Sequence, residues 1–496
     1  MSDVVTPEDF QAILAQLRDW VRTKVVPRER EIADADAIPD DLRKQAADMG
    51  LFGYAIPPEW GGLGLDLTQD VELAMELGYT SLAVRSMFGT NNGIAGQVLV
   101  NFGTDEQKAA WLGRLAAGEV VASFALTEPG AGSNPAGLQT RAGRLDEGDD
   151  WIIDGQKRFI TNAPSADLFV VFARTRPADE SGTGIAVFLV PADAPGVEVG
   201  AKDRKMGQEG AWTSDVHFSD VRVPASALVG GNVDAGYRAA MTSLARGRVH
   251  IAALAVGTAQ RALDESVAYA ASATQGGTVI GEFQLVQAML ADQQTGVLAG
   301  RALVRETAAR YVSGEDRRIG PSAAKLFCTE MAGQVADLAV QIHGGSGYMR
   351  DMPVERIYRD VRLLRLYEGT SEIQRLIIGG GLVRAQQRRL GLDECQQVRV
   401  EYVGVYGQHP VGEAGVGLQR AVLHELDGSG TRTVVRDDLV AVTVHGEDGD
   451  GDLLQVFAVV LADEFGDALV LTLRAAHHAL APPVRDDRSG PCRCPR

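Results

Sequence analysis

Four short stretches of this chain hold residue types that can do chemistry. The last of them, R-D-V-R-L-L-R-L-Y-E-G-T-S-E-I-Q-R at 359–375, sets one carboxylate, Glu368, between Tyr367 and the flexible Gly369, just ahead of a Thr370-Ser371 pair that can cap a following helix. Shielded from water, such a carboxylate has its pKa raised into the range of a general base; left in solvent it is an ordinary surface glutamate. A-S-F-A-L-T-E-P-G-A-G-S-N at 122–134 runs a strand into a loop with Pro129, Gly130, Gly132 and Ser133, which can bring N–H groups and a hydroxyl close to an anion or a polar ring edge, or make a plain turn. D-G-Q-K-R-F-I-T-N-A at 154–163 opens on an Asp-Gly turn, and strand alternation puts Phe159 and Thr161 on one face, which suits a flat polar ring or, equally, a buried hairpin. Q-I-H-G-G-S-G-Y at 341–348 follows a helical run, so it lacks the strand-turn-helix context of a G-x-G-x-x-G fingerprint. Its glycines read as a helix C-terminal cap with close backbone approach, and His343 as a packing residue rather than a metal ligand.

The elements that must position these residues follow from pattern. Residues 1–121 carry polar/apolar segments at helical spacing broken by turns such as I-P-P-E-W-G-G (56–62), an N-terminal α-helical domain. Residues 122–230 alternate short β-rich runs, Trp151 to Ile153, Leu168 to Ala173, Gly184 to Val190 and Thr213 to Phe218, with Gly/Pro/Asp turns, a central β domain. Residues 231–389 hold long helical segments, Ala253 to Ala271, Phe283 to Ser313 and Ala323 to Ile342, suited to an antiparallel bundle. Residues 390–496 are different in kind: from Gly391 to Arg496 there is no Ile, Lys, Met, Asn or Trp, although the part before holds all 10 Met and all 5 Trp. Within this atypical tail Val434 to Val444 and Leu453 to Ala462 can pair as a hairpin, the mark of a small β module. The competing reading is a GC-rich frame translated without selection for folding.

Composition excludes several classes. At 45% hydrophobic and 23% charged residues the chain has the makings of a folded globular protein. Its net charge of -18 opposes a nucleic-acid partner, since phosphate backbones are bound by Lys and Arg. No apolar run reaches membrane-span length, and Met1 to Phe10 resembles neither a signal nor a transit peptide, so a cytoplasmic protein is expected. The C-R-C of Cys492 and Cys494 falls one residue short of metal spacing, and no metal is expected.

In order and separation, T-E-P-G-A-G-S, D-G-Q-K-R-F-I-T-N, Q-I-H-G-G-S-G-Y and Y-E-G-T-S-E-I-Q resemble the signatures of the acyl-CoA dehydrogenase family of flavoproteins over roughly residues 6–389. The resemblance implies an α+β fold with an N-terminal helical domain, a central β-barrel-like domain and a C-terminal four-helix bundle, usually in a homotetramer. It implies FAD, held by Phe124, Leu126, Thr127, Gly132, Ser133, Phe159 and Thr161, with Gln284, Gln341, Gly344 and Gly345 serving from the adjacent subunit and Thr370 and Glu372 beside the flavin. It makes Glu368 the base that takes the α-proton of an acyl-CoA thioester, with Ser133, Arg248, Tyr367 and Gly369 near the substrate, giving a trans-2-enoyl-CoA and passing electrons to an electron-transfer flavoprotein. Some members carry the base on the first bundle helix, one residue before an Arg; here that position, in R-G-R-V-H, is Gly247, and Arg248 matches the Arg.

Two departures stand out: the tail, and Ala273 where the family usually has the Arg that pairs with the FAD pyrophosphate. Backbone N–H groups of Gly276 and Gly277 and the Thr278 hydroxyl can serve there instead. An oxidase or a non-CoA flavoenzyme on the same fold, and a non-catalytic scaffold that has lost FAD, are the alternatives.

Overall fold

The computed structural model describes residues 5–145, 149–177 and 183–390, and the backbone of strand segments within 399–474. It divides into two compact units, Met1–Val383 and Arg384–Arg496.

The first unit opens with seven helices: α1 Pro7–Trp20, α2 Glu29–Ala35, α3 Asp40–Asp48, α4 Leu67–Leu77, α5 Leu82–Asn92, α6 Ile94–Phe102 and α7 Asp105–Ala116. Their starts are written in the sequence. Thr6, Asp66 and Thr104 each accept from the backbone three residues on, while the side chain at that third position returns the bond to the cap.

The seven strands β1 Ala122–Ala125, β2 Arg141–Arg144, β3 Trp151–Thr161, β4 Leu168–Arg174, β5 Ile185–Pro191, β6 Val197–Val199 and β7 Thr213–Val223 then form one mixed sheet. Its order is β1-β4-β2-β3-β7-β6, with β5 also on β4. β4 is parallel to β1, Phe124 opposite Val170, and antiparallel to β5, Val171 opposite Phe188. Period-two alternation explains the apolar run of β4: Leu168, Val170 and Phe172 enter one core with α6 and α7, while Phe169, Val171 and Ala173 enter another on the far face. A strand covered on both sides reads as continuously apolar rather than alternating.

The bundle follows: α8 Gly236–Ser272, the short strands β8 Thr274–Gln275 and β9 Thr278–Val279, α9 Gln284–Val312, α10 Ile319–His343, α11 Pro353–Leu364 and α12 Ser371–Arg389. The third core joins α1 to α5 with α8 to α11, so that Leu17, Leu73 and Phe88 pack in one cluster with Leu254, Val297, Val335 and Ile357. The α-β-α order expected from pattern is the order observed. Gly276 and Gly277, both at positive φ, make the turn between β8 and β9.

In the second unit, β10 Arg399–Glu401, β11 Gly417–Asp427, β12 Gly430–Glu447, β13 Leu453–Ala462 and β14 Ala468–Arg474 pair antiparallel in sequence order. β12 and β13 form the expected hairpin, Val440 opposite Val460. Cys492 and Cys494 lie outside the described residues. Among the described residues no helix is long and apolar enough to cross a membrane.

Candidate active site

Between α11 and α12 the chain reverses through two left-handed residues, Glu368 at φ 54° and Gly369 at φ 94°. For glutamate that conformation costs about 1 kcal/mol or more, and it persists only where the surroundings over-determine it. They do so through the carbonyls. Glu368 O accepts Arg248 Nε from α8 and Gln374 Nε2 from α12, each at 3.2 Å. Gly369 O accepts the same Gln374 Nε2 and, from α10, Lys325 Nζ, each at 2.8 Å. Lys325 and Gln374 are fully buried. These donors tie three bundle helices to one turn.

The turn aims the Glu368 carboxylate at α8, where Gly247 leaves the room for it. Oε2 is enclosed and has no hydrogen-bond partner. Enclosure pushes the carboxyl pKa up, against the pull of Arg85, Arg248 and Lys325. Enclosure likewise pushes the Lys325 ammonium down, to about 8. The result is a half-buried proton acceptor with one oxygen shielded from water, the kind of setting that raises a carboxylate toward the range of a base.

Glu368 lines a cavity of about 990 Å³. Of the residues expected at the site, Phe124, Leu126, Thr127, Gly132, Ser133, Phe159, Thr161, Arg248, Tyr367 and Gly369 line it too. Phe159 and Thr161 share it through a bulge rather than by simple alternation: the pairing of β3 with β7 slips between Lys157 and Ile160, and Phe159 sits at φ 56°. The structure does not bring Gln284, Gln341, Gly344, Gly345, Thr370 or Glu372 into the cavity wall. All but Thr370 are exposed, and the Thr370 hydroxyl instead accepts the Ile373 N–H at 3.4 Å. His343 packs as expected, with Nδ1 2.8 Å from Ala339 O and its ring stacked on Tyr269.

Several functional-looking groups escaped the sequence. Glu128 of T-E-P-G and Lys157 of D-G-Q-K form a buried ion pair at 2.7 Å, and Glu128 also accepts the N–H groups of Gln139 and Thr140 at 2.5 and 2.9 Å. Two motifs read as separate are thereby one clamp beneath the cavity wall. Asp70, Arg85 and His250 also line the cavity, and they are hydrogen-bonded to one another. The available signal was charge inside apolar helices, in L-A-V-R-S-M-F and R-V-H-I-A-A-L.

Comparison with known proteins adds the rest. Family models for the N-terminal, middle and C-terminal domains of acyl-CoA dehydrogenase match residues 7–119, 123–221 and 234–383. A 3-(aryl)acrylate reductase of Clostridium sporogenes is 38% identical over 76% of this chain and 99% of its own length. The solved butyryl-CoA dehydrogenase of Megasphaera elsdenii superposes with a TM-score of 0.72 at 32% identity, over 77% of this chain and 99% of that one. An acyl-CoA dehydrogenase of Bacillus anthracis, solved in complex with FAD, gives a TM-score of 0.71 at 32% identity, over 78% and 69% of the two chains.

Proposed function

The chain belongs to the acyl-CoA dehydrogenase family, and from that premise we propose that Glu368 is the base of an FAD-dependent α,β-dehydrogenation of an acyl-CoA thioester, giving a trans-2-enoyl-CoA. The observation that carries this reading is the Glu368 carboxylate at the cavity wall, its Oε2 enclosed and without a hydrogen-bond partner, on a turn that side chains of three helices hold. The residues present fit a flavin. At about 990 Å³ the cavity stands at the top of the range of about 300–1,000 Å³ usual for ligand sites, and its walls combine the aromatic Phe124 and Phe159 with the hydroxyls of Thr127, Ser133 and Thr161.

FAD, when bound, supplies the acceptor for the β-hydrogen and its electron pair. The remaining work falls to the chain. Glu368 takes the α-proton onto its carboxylate as the Cα–Cβ double bond forms. The enclosing walls keep water from competing for that carboxylate and strengthen every charge interaction in the cavity. A thioester α-proton is too weakly acidic for an unaided carboxylate, so the thioester oxygen must meet donors where negative charge develops, and the Glu368 backbone N–H is the donor this chain offers. Arg248 fixes the peptide that follows, Glu368–Gly369, by donating to the Glu368 carbonyl, and so holds the turn that presents the Glu368 N–H. An electron-transfer flavoprotein is the proposed electron acceptor and a homotetramer the proposed assembly, with Gln284, Gln341, Gly344 and Gly345 facing a neighbouring subunit's FAD. The exposure of these four residues supports that assignment.

The test is the anaerobic absorbance of the purified protein before and after a panel of acyl-CoAs, with Glu368→Gln alongside. Bleaching of the flavin band in the parent but not in the variant is the expected result. A colourless protein that takes up no FAD, or equal bleaching of both, overturns the proposal; fast recovery in air would make the enzyme an oxidase.

A further inference from the structure

Beside Glu368 the cavity wall carries a chain of polar side chains that the dehydrogenation step does not itself use. His250 of α8 is buried, with Nδ1 2.8 Å from Asp70 Oδ1 on α4, and its Nε2 accepts the Nε–H of Arg85 on α5 at 2.8 Å. Asp70 takes a further donor, Arg246 Nη2, at 2.9 Å, and Tyr54 stacks on the imidazole with the ring planes 13° apart. These partners settle the tautomer. A donor at Arg85 requires a lone pair on Nε2, so the ring proton sits on Nδ1 and faces the carboxylate.

Arg85 is held by this contact rather than by a carboxylate: among the described residues no acidic side chain lies within ion-pair distance of it. It lies along its helix in space that Gly89 leaves, since a Cβ there would stand 2.9 Å from Arg85 Nε. Arg85 and Glu368 line the same cavity, beyond ion-pair distance of each other, and Arg85 is one of three cations, with Arg248 and Lys325, that pull on the Glu368 carboxyl.

We propose that Asp70 and His250 are positioning residues for the base: they hold the Arg85 guanidinium where it stabilises the Glu368 carboxylate, and so set the pH at which that carboxylate is free to take a proton. The inference rests on the reading of Glu368 as base. The groups facing His250 are Asp70, Arg85, Arg246 and Tyr54; those facing Glu368 are Arg85, Arg248, Lys325 and Tyr367. The link works only while His250 is neutral, because a protonated ring would turn an N–H against the Arg85 N–H.

The experiment needs no knowledge of the substrate. The difference in melting temperature between a holoprotein and its Glu368→Gln counterpart, followed across pH, reports the folded-state pKa of Glu368. It is measured in the parent, Arg85→Gln, His250→Phe and His250→Gln backgrounds, with His250→Leu in reserve should the Phe variant not fold. Arg85→Gln and His250→Phe are expected to move the midpoint upward by about one pH unit, a tenfold gain in proton affinity, and His250→Gln, whose amide oxygen can still accept from Arg85, to return it toward the parent value. A midpoint that moves in Arg85→Gln but not in His250→Phe, or in neither, overturns the proposal. If Glu368→Gln still bleaches fully with acyl-CoA while the midpoints shift as expected, the base assignment has failed and the positioning link has not.

Discussion

A Cβ built on Gly247 would stand 2.2 Å from Oε2 of Glu368. Helix α8 and the turn before α12 therefore converge on a single point, and only one of them can carry a side chain there. The glycine in R-G-R-V-H is the complement of the carboxylate in Y-E-G-T.

Gly247→Ala is thus expected to displace the carboxylate without touching the fold elsewhere. Overpacking of this kind costs about 1–3 kcal/mol of stability, and displacing a positioned general base forfeits part of the roughly 10²–10⁴-fold it contributes, so anaerobic flavin reduction should slow by about tenfold or more. Stopped-flow absorbance checks this against an unchanged flavin content.

The raised pKa of Glu368 has a stability consequence of definite sign. A carboxyl whose folded pKa lies above its unfolded value favours the folded state at low pH and loses that contribution as pH rises through the folded pKa. Glu368→Gln, permanently neutral, should therefore melt at a higher temperature than the parent at about pH 8, with the advantage shrinking toward about pH 4. Scanning calorimetry at both ends decides it, and an advantage that grows on acidification would contradict the enclosure of the carboxylate.

Lys157→Met should be among the most damaging single changes outside the cavity. It leaves Glu128 charged and buried, at a cost of about 3–5 kcal/mol, whereas Glu128→Gln together with Lys157→Met should recover much of the loss. Urea unfolding of the two variants, with flavin content as a second readout, makes the comparison.

A chain ending after Arg389 is expected to keep its flavin, its melting temperature and its response to acyl-CoA. The compact first unit ends at Val383, as does the last family match. Loss of flavin on truncation would instead give the tail a part in the site.

What the sequence made legible was local. Caps, the apolar runs of β4 and β5, and Glu368 beside Gly369 announce themselves through residue type and spacing. What it concealed depends on distant partners. Nothing near Glu128 names Lys157, and nothing near Glu368 names Lys325 or Arg85, because those pairings are made by helix and strand packing across many residues. The bulge at Phe159 was hidden for a related reason: it is a slip between two strands, and neither strand alone records it.

The core that joins α1 to α5 with α8 to α11 bears on how the protein is made. The first helices leave the ribosome with Leu17, Leu73 and Phe88 presenting an apolar face whose partners, from Leu254 to Ile357, have not yet been synthesised. The sheet between them can close on its own strands meanwhile, but the helical layer that carries Asp70 and Arg85 must wait for α8. The amino-terminal third is thus the segment most exposed to capture by chaperones or to aggregation during translation, and the cavity assembles only when the last helices arrive.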